Sequence, residues 1–187
     1  MNRVIVIEFT TLDGVVEDPD GSGGTAMGGW AFRHGPETVG GDKFRLGPRL
    51  ETGTLLLGRV TWELFARIWP SRTDPFATAM NRMPKAVLSR TLSDAGAWAN
   101  STLVRDDPAA VVTALRERGD VVVTGSLSVV RALAARDLVD EYRLLVLPTL
   151  LGSGRRLLPE DGGAAHLRTT SVDRAGAAVL VCAERDR

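Results

Sequence analysis

Apolar positions fall into short runs broken by glycine, proline and aspartate, and the runs alternate between strand-like and helical spacing. Val4-Ile5-Val6-Ile7 is continuous and β-branched, and Leu12-Asp13-Gly14 closes it, which predicts a first strand over 4–10. From Asp18 to Gly41 the pattern dissolves into glycines around Pro19, Trp30 and Pro36, predicting a long irregular loop with one short helical turn. Leu55-Leu56-Leu57 is a second buried run that breaks at Gly58 and restarts as a helix over 60–68. Asp74-Pro75 reads as an N-cap with proline at the first helical position, opening a helix to about Met83 before a strand over 85–88. Asp107-Pro108 repeats that signal, with Val111, Val112 and Leu115 as the buried stripe and Gly119 as the stop. A strand over 121–124 follows, then a helix opened by Gly125-Ser126 that carries Val129, Val130, Leu133 and Ala134 on one side. Strand patterns alone remain after that: 143–147, a tight loop at Leu151-Gly152-Ser153-Gly154, and two segments near Thr169 and Val179.

Alternation of strand and helix followed by strands alone predicts an α/β fold, a mostly parallel sheet flanked by helices and extended by an antiparallel C-terminal edge. With 187 residues, 44% of them hydrophobic, the chain is long enough for one domain with a full core. Lysine plus arginine equals aspartate plus glutamate at 23 each, so no sequence-wide field attracts nucleic acid or an anionic membrane. The apolar runs are too short to cross a bilayer and the N-terminus lacks a signal-peptide pattern, so a cytoplasmic location is expected. Cys182 is the single cysteine, in an apolar run, and is expected to be buried; no metal site is expected. His34 and His166 lie in polar or glycine-rich surroundings and are expected to be exposed.

Candidate chemistry gathers at three strand ends. Gly58-Arg59-Val60-Thr61 joins a buried strand to a helix, where free backbone N–H groups and the helix dipole favour an anion. Ser89-Arg90-Thr91 and Gly125-Ser126-Leu127 have similar composition at two further strand ends, and in open α/β sheets ligands collect beyond such ends. Two arginines, several hydroxyls and two glycine turns suit a dinucleotide with an additional ribose phosphate, hence NADPH in preference to NADH. Neither Gly-x-Gly-x-x-Gly behind the first strand nor a P-loop is present, and no nucleophile-elbow motif accompanies a histidine.

On these residues the chain resembles the dihydrofolate reductases. Gly58-Arg59-Val60-Thr61-Trp62-Glu63, Val87-Leu88-Ser89-Arg90 and Gly125-Ser126 look like that superfamily's cofactor segments. Thr11-Leu12-Asp13-Gly14, Met83-Pro84-Lys85 and the stretch from Leu138 to Gly154 resemble its riboflavin-biosynthesis branch, the RibD C-terminal-like proteins. The resemblance implies a dihydrofolate-reductase-like three-layer fold, NADPH as cofactor and a homodimer. It also implies a small-molecule substrate, a pteridine- or pyrimidine-like heterocycle reduced by hydride transfer.

Two carboxylates enter as catalytic candidates through the resemblance. Asp42 has the spacing of the helix-borne carboxylate of dihydrofolate reductases, although Gly40, Gly41 and Pro48 disfavour a helix there. Asp13 matches the aspartate that the riboflavin branch keeps after the first strand, where it either binds a polar ring edge or anchors the following loop. On the substrate side stand Trp30, either a cover for a planar ring or a loop anchor, and Leu151 and Gly152 in the loop that shapes the pocket. Trp62 is expected in the core. A non-catalytic nucleotide- or flavin-binding protein on the same scaffold is the alternative.

Overall fold

The computed structural model describes residues 2–160 and 164–186. Its secondary structure comprises strands β1 (Val4–Thr11), β2 (Thr54–Gly58), β3 (Lys85–Leu88), β4 (Ser101–Val104), β5 (Val121–Val123), β6 (Glu141–Leu147), β7 (Leu167–Ala175) and β8 (Ala178–Arg185). The helices are α1 (Pro36–Val39), α2 (Arg49–Thr52), α3 (Arg59–Ile68), α4 (Pro75–Arg82), α5 (Pro108–Arg116) and α6 (Leu127–Ala134), with a 3₁₀ turn at Trp30–His34. The chain divides into two compact units, one of residues 1–6 and 46–140, the other of residues 7–45 and 141–187. β1 begins in the first and ends in the second.

In the first unit the strands hydrogen-bond in the order β4-β3-β2-β5-β1, all parallel. Parallel strands covered on both faces need apolar residues at every position rather than at alternate ones. Val4, Ile5, Val6, Leu55, Leu56, Leu57, Val121, Val122 and Val123 meet that requirement with no exposed surface at all. The helices bury most of the stripes read from the pattern, Val111 and Val112 on α5 and Val129, Val130 and Leu133 on α6, while Leu115 and Ala134 are half-buried. Both predicted caps form, Asp74 accepting from the Ala77 N–H and Asp107 from the Ala109 N–H.

One polar side chain sits inside this core. Lys85 opens β3 almost fully buried, and its ammonium donates to the carbonyls of Asn81, Met83 and Ala99 at 3.1, 2.7 and 3.0 Å. It also lies 4.3 Å from the centre of the Trp98 ring, whose indole N–H donates to Asn81. Burial pulls the ammonium down to about 8, and three carbonyl oxygens keep it supplied with acceptors.

The second unit carries the strand order β1-β6-β8-β7, with β6, β8 and β7 antiparallel. Its interior holds an ion pair: the Arg143 guanidinium donates to Glu141 at 2.6 Å and to the carbonyls of Phe44 and Arg45. Cys182 is buried on β8 as expected. The segment after Asp18 is better ordered than its glycine content predicts. Asp18 accepts from the Gly23 and Thr25 N–H groups and the Thr25 hydroxyl, and the 3₁₀ turn and α1 follow instead of a single helical turn.

Candidate functional site

The carboxyl ends of β2, β3 and β5 lie side by side in the first unit. Gly58 is the register partner of Leu88, Leu56 that of Val123, and the Gly58 N–H donates to the Gly125 carbonyl at 3.0 Å. The three turns singled out by composition are therefore brought together. Gly125 has φ +94°, and a side chain there would come within 2.7 Å of the Thr61 hydroxyl; one at Gly58 would overlap Ser126. Gly58, Thr61, Gly125 and Ser126 thus form one close-packed floor, and the Gly125–Ser126 peptide is cis. α3 and α6 start from this floor with Gly58 and Ser126 at their N-caps; Gly58 has no side chain to cap α3, and the Ser126 side chain does not cap α6. The first N–H groups of both helices, those of Arg59 and Leu127 among them, remain for an external anion.

Cationic groups rim the floor. Arg59 is exposed and reaches one turn along α3 to the Glu63 carboxylate, at 3.1 and 2.9 Å. A surface pair of this kind contributes about 0–1 kcal/mol, so the guanidinium is exchangeable onto a phosphate. Ser89 is buried, and its hydroxyl oxygen accepts the N–H groups of Thr91 and Leu92 at 3.2 and 2.9 Å. That hydroxyl shapes the turn, while Arg90 and Thr91 project into solvent. Pattern reading missed Arg105, which follows β4 and donates to the carbonyls of Ser89, Arg90 and Leu92. A cleft of about 150 Å³ opens here, with Arg90, Arg105 and Asp106 on its walls.

The remaining candidates belong to the second unit. Asp13 accepts from the Thr11 hydroxyl at 2.6 Å and from the N–H groups of Leu151 and Gly152 at 3.2 and 2.7 Å. The Thr11 hydroxyl and those amides hold its carboxyl down at about 2, so Asp13 is an ionised anchor of the 149–154 loop. Trp30 is likewise an anchor: its ring is buried and its N–H donates to the Glu17 carbonyl at 2.8 Å. Leu151 helps to line a second cleft, of about 220 Å³, together with Glu17, Thr25 and Met27. Asp42 sits in a bend and not on a helix, so the regular helix that would present a carboxylate as dihydrofolate reductases do is missing there. His34 is half-buried and hydrogen-bonded to the Thr149 hydroxyl at 2.7 Å, correcting the expectation that it is exposed.

Glu8, on β1, was not singled out by pattern. It keeps partial solvent access, and its carboxyl has no hydrogen-bond or ion-pair partner among the described residues. Burial pushes it up to about 8. Among the described residues no helix is long and apolar enough to cross a membrane, and no group of three or more histidine, cysteine, aspartate or glutamate side chains could hold a metal ion.

Comparison with known proteins gives a consistent result. Residues 2–181 match the family model described as the RibD C-terminal domain. Among solved structures, a putative riboflavin biosynthesis protein from Shewanella sp. PV-4 superposes with a TM-score of 0.76 at 20% identity, over 99% of each chain. The diaminohydroxyphosphoribosylaminopyrimidine deaminase/5-amino-6-(5-phosphoribosylamino)uracil reductase from Thermotoga maritima gives 0.61 at 15% identity, over 99% of this chain and 57% of that one. Dihydrofolate reductase from Enterococcus faecalis, complexed with NADP(H), gives 0.57 at 15% identity, over 99% and 97% of the two chains. The fold is dihydrofolate-reductase-like. No curated protein matches the chain.

Proposed function

We propose, since the chain belongs to the RibD C-terminal domain family, that it is an NADPH-dependent reductase of a small pteridine- or pyrimidine-like heterocycle, working as a cytoplasmic homodimer. The observation that carries this reading is the close-packed floor at the ends of β2 and β5, where Gly58 and Gly125 leave no room for a side chain. That packing fixes the starts of α3 and α6 side by side, and their N–H groups, which no side chain caps, are the donors a ligand's phosphates would use. Arg59 and Arg90 add charge at the rim, where an additional ribose phosphate needs it. The residues present therefore fit the cofactor.

When bound, NADPH supplies the hydride for a C=N or C=O carbon, and the protein supplies binding, orientation and electrostatics. Two carboxyls of the second unit are shifted in opposite directions. Asp13 stays ionised and fixes the 149–154 loop. Burial raises the Glu8 carboxyl toward the proton-holding state that a general acid requires.

Calorimetric titration of the protein with NADPH and NADH tests the reading. Selective binding of NADPH supports it, and Arg59→Ala should weaken NADPH about tenfold while changing NADH about twofold or less. NADPH oxidation is then followed with dihydrofolate and with 5-amino-6-(5-phosphoribosylamino)uracil, the compound named for the Thermotoga protein. Absence of binding by either nucleotide would overturn the reading.

A further inference from the structure

We propose that Arg105 is a positioning residue for cofactor choice: it holds the Ser89–Leu92 turn so that the adjacent cleft selects a nucleotide bearing an extra phosphomonoester. The inference rests on the reductase reading above and deepens it. Leu88 and Val104 are register partners across β3 and β4, so the two chains leave the sheet together and Arg105 emerges beside the turn. Its guanidinium donates to three carbonyls of that turn, those of Ser89, Arg90 and Leu92, at 3.4, 3.2 and 3.0 Å. Ser89 closes the same turn from inside by accepting the Thr91 and Leu92 N–H groups. Carbonyls and amides of one short turn are thus both held, which fixes the backbone that carries Arg90.

A preformed turn matters because ordering a loop on binding subtracts from affinity. Arg90 and Arg105 face one cleft with Asp106 as the acid on its wall, a balance that favours an anion. Of the five N–H donors of a guanidinium, the three carbonyl contacts leave two. Lysine, a point charge on a flexible stem, does not reproduce the fork that reaches those three carbonyls. A nucleotide with a hydroxyl in place of the phosphate gains little from Arg90 and so little from the turn that carries it.

The test measures dissociation constants for NADPH and NADH by calorimetry on the parent protein, Arg105→Lys and Arg105→Ala. Hydrogen exchange at the Thr91 and Leu92 amides without nucleotide provides a readout independent of activity. Arg105→Ala should lose about tenfold in NADPH affinity with NADH changed about twofold or less. Arg105→Lys should behave more like the alanine variant than the parent, and both should exchange faster at the two amides. An Arg105→Lys protein that binds NADPH as tightly as the parent would reduce the role to net charge and overturn the inference. So would an unchanged NADPH preference in Arg105→Ala, or unchanged exchange in both variants. A parent protein that binds neither nucleotide brings down the reductase reading along with this one, whereas a selective parent with indifferent variants brings down this one alone.

Discussion

Glu8→Gln removes an ionisable group from a strand whose preceding four residues, Val4 to Ile7, are all buried and apolar. The native carboxyl is pushed from 4.5 to about 8 by burial, whereas in the unfolded chain it ionises near 4.5. Between those values the native protein holds one more proton than the unfolded chain, so stability falls as pH rises, by about 1.4 kcal/mol per pH unit. The contribution is complete below 4.5 and gone above 8, a total of at most roughly 5 kcal/mol. Glu8 keeps partial solvent access, which screens the charged form, so about 2–3 kcal/mol is the expected change between about pH 5 and pH 8. Glutamine has nearly the same shape and does not titrate. Urea denaturation of both proteins across this range gives the assay, and its readout is the variant's unfolding free energy minus the parent's. That difference should climb steadily with pH, while any penalty for the amide itself shifts it by a constant. A difference flat in pH would mean that Glu8 ionises in the native protein as it does in the unfolded chain, and the argument from burial would be wrong.

Two further outcomes follow from the packing. Gly58→Ala forces a methyl group onto Ser126 and should cost about 1–3 kcal/mol in thermal unfolding. Adding Ser126→Gly should recover part of that loss, and additive losses in the double variant would argue against the contact. Asp13→Asn should speed hydrogen exchange at the Leu151 and Gly152 amides, since the carboxylate that accepts them is gone. In the parent, that anchor should hold at ordinary pH and release only as acid approaches about pH 2; release near pH 4 would refute its depressed ionisation.

Much of the first unit was legible because local chemistry and tertiary context agree there. β3 occupies the residues predicted from Pro84 and the apolar run after it, and both aspartate–proline caps form. β4 escaped notice because Ser101–Val104 is a short, partly exposed edge strand without period-two alternation. Missing β4 also hid Arg105, whose role depends on which strand it follows. The segment around Trp30 reads as loop from its glycines, yet Gly29 at φ +79° and the buried indole set up the 3₁₀ turn. Glu8 was invisible for another reason: spacing shows that a strand is buried, but not whether one carboxyl on it finds a partner. The floor made by Gly58 and Gly125 lay between these cases. Its glycines were apparent, and the hydrogen bond that joins them needed the sheet register.

The Lys85 ammonium, held by three carbonyls under the Trp98 ring, has a practical consequence for chemical labelling. The chain has only two lysines, Lys43 and Lys85. An acylating reagent needs an open approach to the amine, and Lys85, buried with its amine held by three carbonyls, does not offer one. Among the lysines, amine-directed tethering should therefore select the half-buried Lys43. A surface coupled through that side chain would hold the molecules by one segment, between α1 and α2, and leave the turns at the ends of β2, β3 and β5 unmodified.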